Sequence, residues 1–122
     1  MMQTMRLKRL LIGMTAAGAV LALAGTAAAQ DAKLLEKGAK VFADQKCSMC
    51  HSIAGKGNAK GSLDGVGTKL KVEEIRQWIV EPAAMTTKTK AERKPPMPSK
   101  FSALPKDDLD ALVGYLSSLK KK

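Results

Sequence analysis

The chain has little aromatic content: two Phe, one Tyr and one Trp account for 3% of its 122 residues. A core built on Phe42, Trp78, Phe101 and Tyr115 is thin, which points to something other than side chains supplementing it. There is one histidine, His51, and there are two cysteines. Two Cys and one His give three strong ligands at most, so a structural zinc site of the usual four-ligand kind is excluded. A disulfide-rich scaffold and any mechanism needing two imidazoles are excluded with it. Acid is scarce as well, 11 residues against 21 basic ones, for a formal charge of +10. No strand-like alternation and no internal repeat is evident. What is present is 45% hydrophobic residues, the composition of a globular protein.

The first thirty residues read as an address. Arg6, Lys8 and Arg9 stand in a start free of acid, an apolar run follows over Leu10–Gly25, and Ala27-Ala28-Ala29 closes it. A basic start, an apolar middle and an A-x-A end are the parts of a secretory signal peptide, so cleavage is expected after Ala29 and export to the periplasm. The alternative, an uncleaved anchor, would need about 20 apolar residues. Domain boundaries are therefore 1–29 for the signal and 30–122 for the mature domain. Loss of three basic residues lowers the basic count from 21 to 18 against 11 acids. A domain of this size with few aromatics sits at the marginal end of self-sufficiency.

Three helices are predicted. In Asp31–Phe42, the residues Leu34, Gly38, Val41 and Phe42 fall on one face at helical spacing. Gly38 costs about 1 kcal/mol of propensity against Ala, a cost offset if another helix approaches closely there. Val72–Val80 places Val72, Ile75 and Ile79 on one side with Trp78 beside them, Glu73 and Glu74 in its first turn, and Pro82 as its stop. Asp107–Leu119 is the clearest, with Leu109, Leu112, Val113, Leu116 and Leu119 in register. Between them lie a glycine-rich loop, Gly55–Gly67, and a proline-rich one, Ala83–Lys100. Loops this long in so small a domain are usually functional.

The chemistry is carried by Cys47-Ser48-Met49-Cys50-His51. In an exported chain, C-x-x-C-H is the attachment signal for haem c. Two thiols at this spacing reach the two vinyl groups on one porphyrin edge, and the adjacent imidazole is delivered to one face of the iron. A redox-active dithiol would need a βαβ context that is missing, and a structural disulfide would leave His51 unused. Folding is then expected to be coupled to the bound group.

No second histidine exists to complete the iron's coordination. A methionine thioether suits the task, because a soft donor favours Fe(II) and raises the potential. Met49 lies between the cysteines and cannot reach across. Met97, in Lys94-Pro95-Pro96-Met97-Pro98, is the first candidate, since prolines on both sides restrict the backbone. Met85 and an open site remain as alternatives.

From its helix order, haem motif, glycine loop, methionine segment and terminal helix, the mature chain resembles a class I c-type cytochrome over essentially its whole length. The resemblance implies an all-α cytochrome c fold, wrapped around a covalently attached haem. In it the N- and C-terminal helices cross, Gly38 and Phe42 meeting Leu112 and Tyr115. It implies Cys47, Cys50, His51 and Met97 as the haem-binding set, with His51 and Met97 on the metal. Leu63-Asp64-Gly65-Val66-Gly67 resembles the loop over the proximal haem edge, and Trp78 an aromatic near the methionine side. The chain departs from the family at Gly61, where a proline is common. That residue's carbonyl accepts the ligand histidine's Nδ1–H, and a glycine carbonyl can accept the same bond.

An iron saturated by two side chains is left with one-electron exchange, so a carrier is expected rather than an enzyme. The stretch Thr86–Lys100 holds Lys88, Lys90, Arg93, Lys94 and Lys100 against Glu92, which suits docking onto acidic redox partners such as a reductase, oxidase or dehydrogenase. Nucleic acid is not expected, since no aromatics interleave the basic residues. A monomeric shuttle without a membrane span after signal cleavage is the leading expectation. The alternatives are a haem c subunit of a larger complex and a five-coordinate, ligand-binding or peroxidatic haem protein.

Overall fold

Helices dominate, as expected, and the chain adds three elements that the periodicity did not signal: the four-residue helix Val66–Lys69, the helix Pro82–Thr89 and a short hairpin. The structure, a computed structural model, describes the backbone of residues 18–122 and the side chains of residues 31–122. The expected signal peptide therefore lies outside the described residues over 1–17. The helices are α1 (Gly18–Asp44), α2 (Val66–Lys69), α3 (Val72–Val80), α4 (Pro82–Thr89) and α5 (Lys106–Ser117). Short 3-10 turns occupy Cys47–Met49, Ala59–Gly61 and Ser99–Ala103. Asp31–Lys122 forms one compact unit.

Helix α3 keeps its expected bounds. Its start is fixed by Glu74, whose Oε2 accepts from the Lys71 backbone N–H at 3.1 Å. Helix α5 begins at Lys106 with Asp107 and Asp108 in its first turn, where acids favour the dipole. Helix α4 is a correction, because Ala83–Lys100 was expected to be loop. Pro82 does end the preceding helix, but it also opens the next one, since its fixed φ and missing N–H are tolerated at the first helical position. The segment PAAMTTKT shows no apolar stripe, and only Pro82 and Met85 are buried. Its threonines bond back along the helix, Thr86 Oγ1 to the Pro82 carbonyl at 2.8 Å and Thr89 Oγ1 to that of Met85 at 2.8 Å. It ends on Lys90 in the left-handed region at φ 55°.

The hairpin is two-stranded and antiparallel, β1 (Ser52–Ile53) and β2 (Lys56–Gly57), with Ser52 opposite Gly57 and Ile53 opposite Lys56. Its loop residues Ala54 and Gly55 have φ of 51° and 80°, the signature of a turn that matches strand twist. Two-residue strands are too short to leave an alternation in the sequence.

Val41, Phe42, Ile75, Ile79, Phe101, Leu112, Val113 and Leu116 form the core. It joins α1, α3 and α5 to the turn after the proline-rich segment. Helices α1 and α5 meet where Gly38 is pressed against Ala111 and Tyr115, and Phe42 packs edge-on to Tyr115 with ring centroids 6.2 Å apart. Two residues given to apolar faces are in fact exposed, Leu34 and Val72. Val72 is the first residue of α3, and Leu34 only borders α5 at Gly114, a residue with no side chain to cover it. The C-terminus folds back on the glycine loop. The Gly67 N–H donates to the Leu119 carbonyl at 2.9 Å, and Lys120 Nζ donates to the Gly67 carbonyl at 2.6 Å.

Candidate haem-attachment site

The C-x-x-C-H segment is a single helical turn set just past α1. The α1 ladder closes with Gln45 N–H to Val41 O at 2.9 Å, and Lys46 then takes a left-handed conformation that redirects the chain. From there Cys50 N–H and His51 N–H both donate to the Cys47 carbonyl, at 3.2 and 2.9 Å. One turn of helix brings residues i and i+3 to the same face, so Cys47 and Cys50 lie on one side of the turn. Both thiols are free. Cys47 is half-buried and packs against the core, while Cys50 is exposed. Burial pushes the Cys47 thiol above its ordinary pKa, opposed by a backbone hydrogen bond and then by the Lys100 charge.

Every carbonyl of the motif finds a donor. Asn58 serves three of them: its N–H reaches Ser48 O and His51 O, both at 3.1 Å, and its Nδ2 reaches Met49 O at 3.2 Å. The Arg93 guanidinium donates to Cys50 O. Asn58 arrives from the end of the hairpin, a few residues on. Arg93 comes from more than forty residues away, in the segment that carries Met97. Sequence reasoning assigned no role to Asn58 and counted Arg93 only as a charge. Neither had a local signal, because the contacts exist only once the hairpin and the proline-rich segment close over the turn.

His51 is half-buried, with Nδ1 3.0 Å from the Gly61 carbonyl oxygen. A carbonyl only accepts, so Nδ1 carries the proton and Nε2 the lone pair. Burial lowers the imidazole pKa below its ordinary value, the Gly61 bond opposes this, and the Arg93 charge adds to it. The ring is therefore neutral near pH 7, the form able to bind a metal. This is the bond anticipated for Gly61 in place of proline.

Met97 is half-buried and flanks the same core cluster as Cys47. Met85 is buried on α4 but is not part of that cluster. Leu63, Leu70 and Leu104 are also half-buried against the core, and Trp78 is half-buried on α3. The donor set fits haem c: two uncrosslinked thiols one turn apart, and a neutral imidazole whose second nitrogen is committed elsewhere.

A small helical domain with this turn at the end of its first helix defines a protein that holds a haem through covalent attachment. The sequence model of the family Cytochrome c matches residues 35–120, and the chain belongs to that family, as a class I c-type cytochrome with covalently bound haem c. It is thus an electron-transfer haem protein. Comparison with curated proteins and with solved structures returned no match. Among the described residues no helix is long and apolar enough to cross a membrane.

Proposed function

We propose that this protein is a periplasmic one-electron carrier, exported by a signal peptide over residues 1–29, with its haem iron bound by His51 and Met97. The observation that carries the ligand assignment is the pinned His51 ring together with the placement of Met97 and Cys47 against one core. When bound, the haem supplies reversible one-electron exchange at its iron. The chain's own part is to fix the geometry. The Gly61 carbonyl sets the tautomer and rotation of His51, so Nε2 is presented without a search through ring orientations. Pro95, Pro96 and Pro98 lower the entropy lost in holding Met97 in place, which a weak iron–sulfur bond requires. An iron held by both side chains would have no position left for substrate, which argues for a carrier and against an enzyme.

Lys88, Lys90, Arg93, Lys94 and Lys100 are exposed on the segment bearing Met97, with Glu92 as its one acid. Such a patch steers the molecule onto an acidic redox partner, raising the encounter rate without tight binding. The reading is a monomeric shuttle. The deciding measurement is the optical spectrum of the oxidised mature protein. A weak sulfur-to-iron charge-transfer band at the red end of the visible is expected, lost in Met97→Ala and kept in Met85→Leu. Carbon monoxide binding by the ferrous wild type at neutral pH would instead establish an open coordination site.

A further inference from the structure

We propose that Arg93 is a positioning residue, a latch whose guanidinium ties the Met97-bearing segment to the haem-attachment turn through the Cys50 carbonyl, in space kept open by Gly61. The inference rests on the reading of Met97 as an iron ligand for its functional meaning, though not for its geometry. Among the described residues, the segment between α4 and the turn Ser99–Ala103 is otherwise held by the Ala91 N–H on the Thr86 carbonyl, at 3.1 Å, and by Met97 packed on the core. Its residues from Ala91 to Pro96 are all exposed, and Pro95, Pro96 and Pro98 have no N–H to donate. Arg93 supplies a long-range bond from its middle. The acceptor is the peptide immediately before His51, so closing the latch brings the methionine segment into register with the histidine.

Gly61 completes the arrangement. A Cβ at that position would run into Arg93 Nη1 and the Cys50 oxygen, and would lie 2.8 Å from Arg93 Cζ. Any side chain at 61 would therefore displace the guanidinium from the carbonyl it serves. The same Gly61 offers its own carbonyl to His51 Nδ1 at 3.0 Å. One residue thus fixes the ring through its oxygen and admits the latch through its missing side chain.

The test uses mature holoprotein and the variants Arg93→Gln, Arg93→Lys and Gly61→Ala. Amide hydrogen exchange in residues 91–100 reads release of the segment without reference to iron ligation. In Arg93→Gln it should speed up about fivefold, the size of one exposed charge-assisted hydrogen bond, while α3 and α5 keep their protection. Apparent imidazole affinity of the oxidised protein should rise by a similar factor, because an external ligand binds only molecules whose segment has opened. Arg93→Lys, able to donate one bond, should recover part of both effects. In the Gly61→Ala background the guanidinium is already displaced, so adding Arg93→Gln should change segment exchange no further. Unchanged exchange in Arg93→Gln, or a full additive effect in the double variant, would overturn the latch. A wild type without the sulfur-to-iron band would sink the Met97 assignment while leaving the exchange result to judge Arg93.

Discussion

Replacing Gly38 with alanine sets two effects of opposite sign against each other. In an exposed helix the change gains about 1 kcal/mol from backbone entropy. Here Gly38 is buried at the crossing of α1 and α5. A methyl group would run into the Ala111 carbonyl oxygen and the Tyr115 Cβ, and would lie 2.8 Å from the Ala111 carbonyl carbon. Carbon atoms rest about 3.5–4.0 Å apart, so the helices must part by at least about 1 Å, with Tyr115 Cβ the nearer carbon. Ala111 is 0% exposed and has nowhere to retreat. A gap of that size forfeits about a quarter to a half of each contact along the crossing, including those of Val41, Phe42 and Leu112. Overpacking of this kind costs about 3 kcal/mol at the upper end, which exceeds the propensity gain and leaves a net loss of about 2 kcal/mol. For a domain of this size the melting temperature should fall by about 10 °C. Thermal and urea unfolding of the mature holoprotein measure it. Gly114→Ala on α5 is the matched control: its Cβ would meet Leu34 Cδ2 at 3.5 Å, an ordinary contact, so that variant should gain up to about 1 kcal/mol. If Gly38→Ala proved as stabilising as Gly114→Ala, the close crossing would be refuted.

Two further outcomes are expected. Asp110 accepts from Lys106 Nζ at 2.6 Å and from Arg76 Nη2 at 2.7 Å, and these bonds hold its carboxyl below the ordinary aspartate pKa. Their contribution is present above the unfolded-state pKa of about 3.9 and is lost as pH falls through the lower folded value. Asp110→Asn should therefore flatten the decline of melting temperature below about pH 4, and an unchanged acid profile would show the pair to be idle. Charge reversal of Lys88, Lys94 and Lys100 together should slow electron transfer to an acidic partner at low salt and leave the rate at high salt nearly unchanged. Stopped-flow rates against ionic strength check this, and a wild-type rate indifferent to salt would remove the docking role of the patch.

The residues themselves pointed to the cofactor, because two thiols and an adjacent imidazole at this spacing match the attachment signal for haem c. They also determined α3 and α5, whose apolar residues recur at helical intervals with acids in the first turn. The meeting of Gly38 and Phe42 with the terminal helix was legible through the family resemblance. Helix α4 was not legible, since PAAMTTKT buries two residues and proline reads as readily as a stop as a start. The hairpin at Ser52–Gly57 was hidden for a different reason: strands of two residues carry no period. Apart from the Gly61 carbonyl on His51, which the family resemblance anticipated, the surroundings of the haem turn belonged to the tertiary structure. Asn58 and Arg93 reach the carbonyls of Ser48 through His51 only after separate segments have closed over them, and hydrogen bonds between distant segments depend on the folded path of the chain rather than on any local pattern.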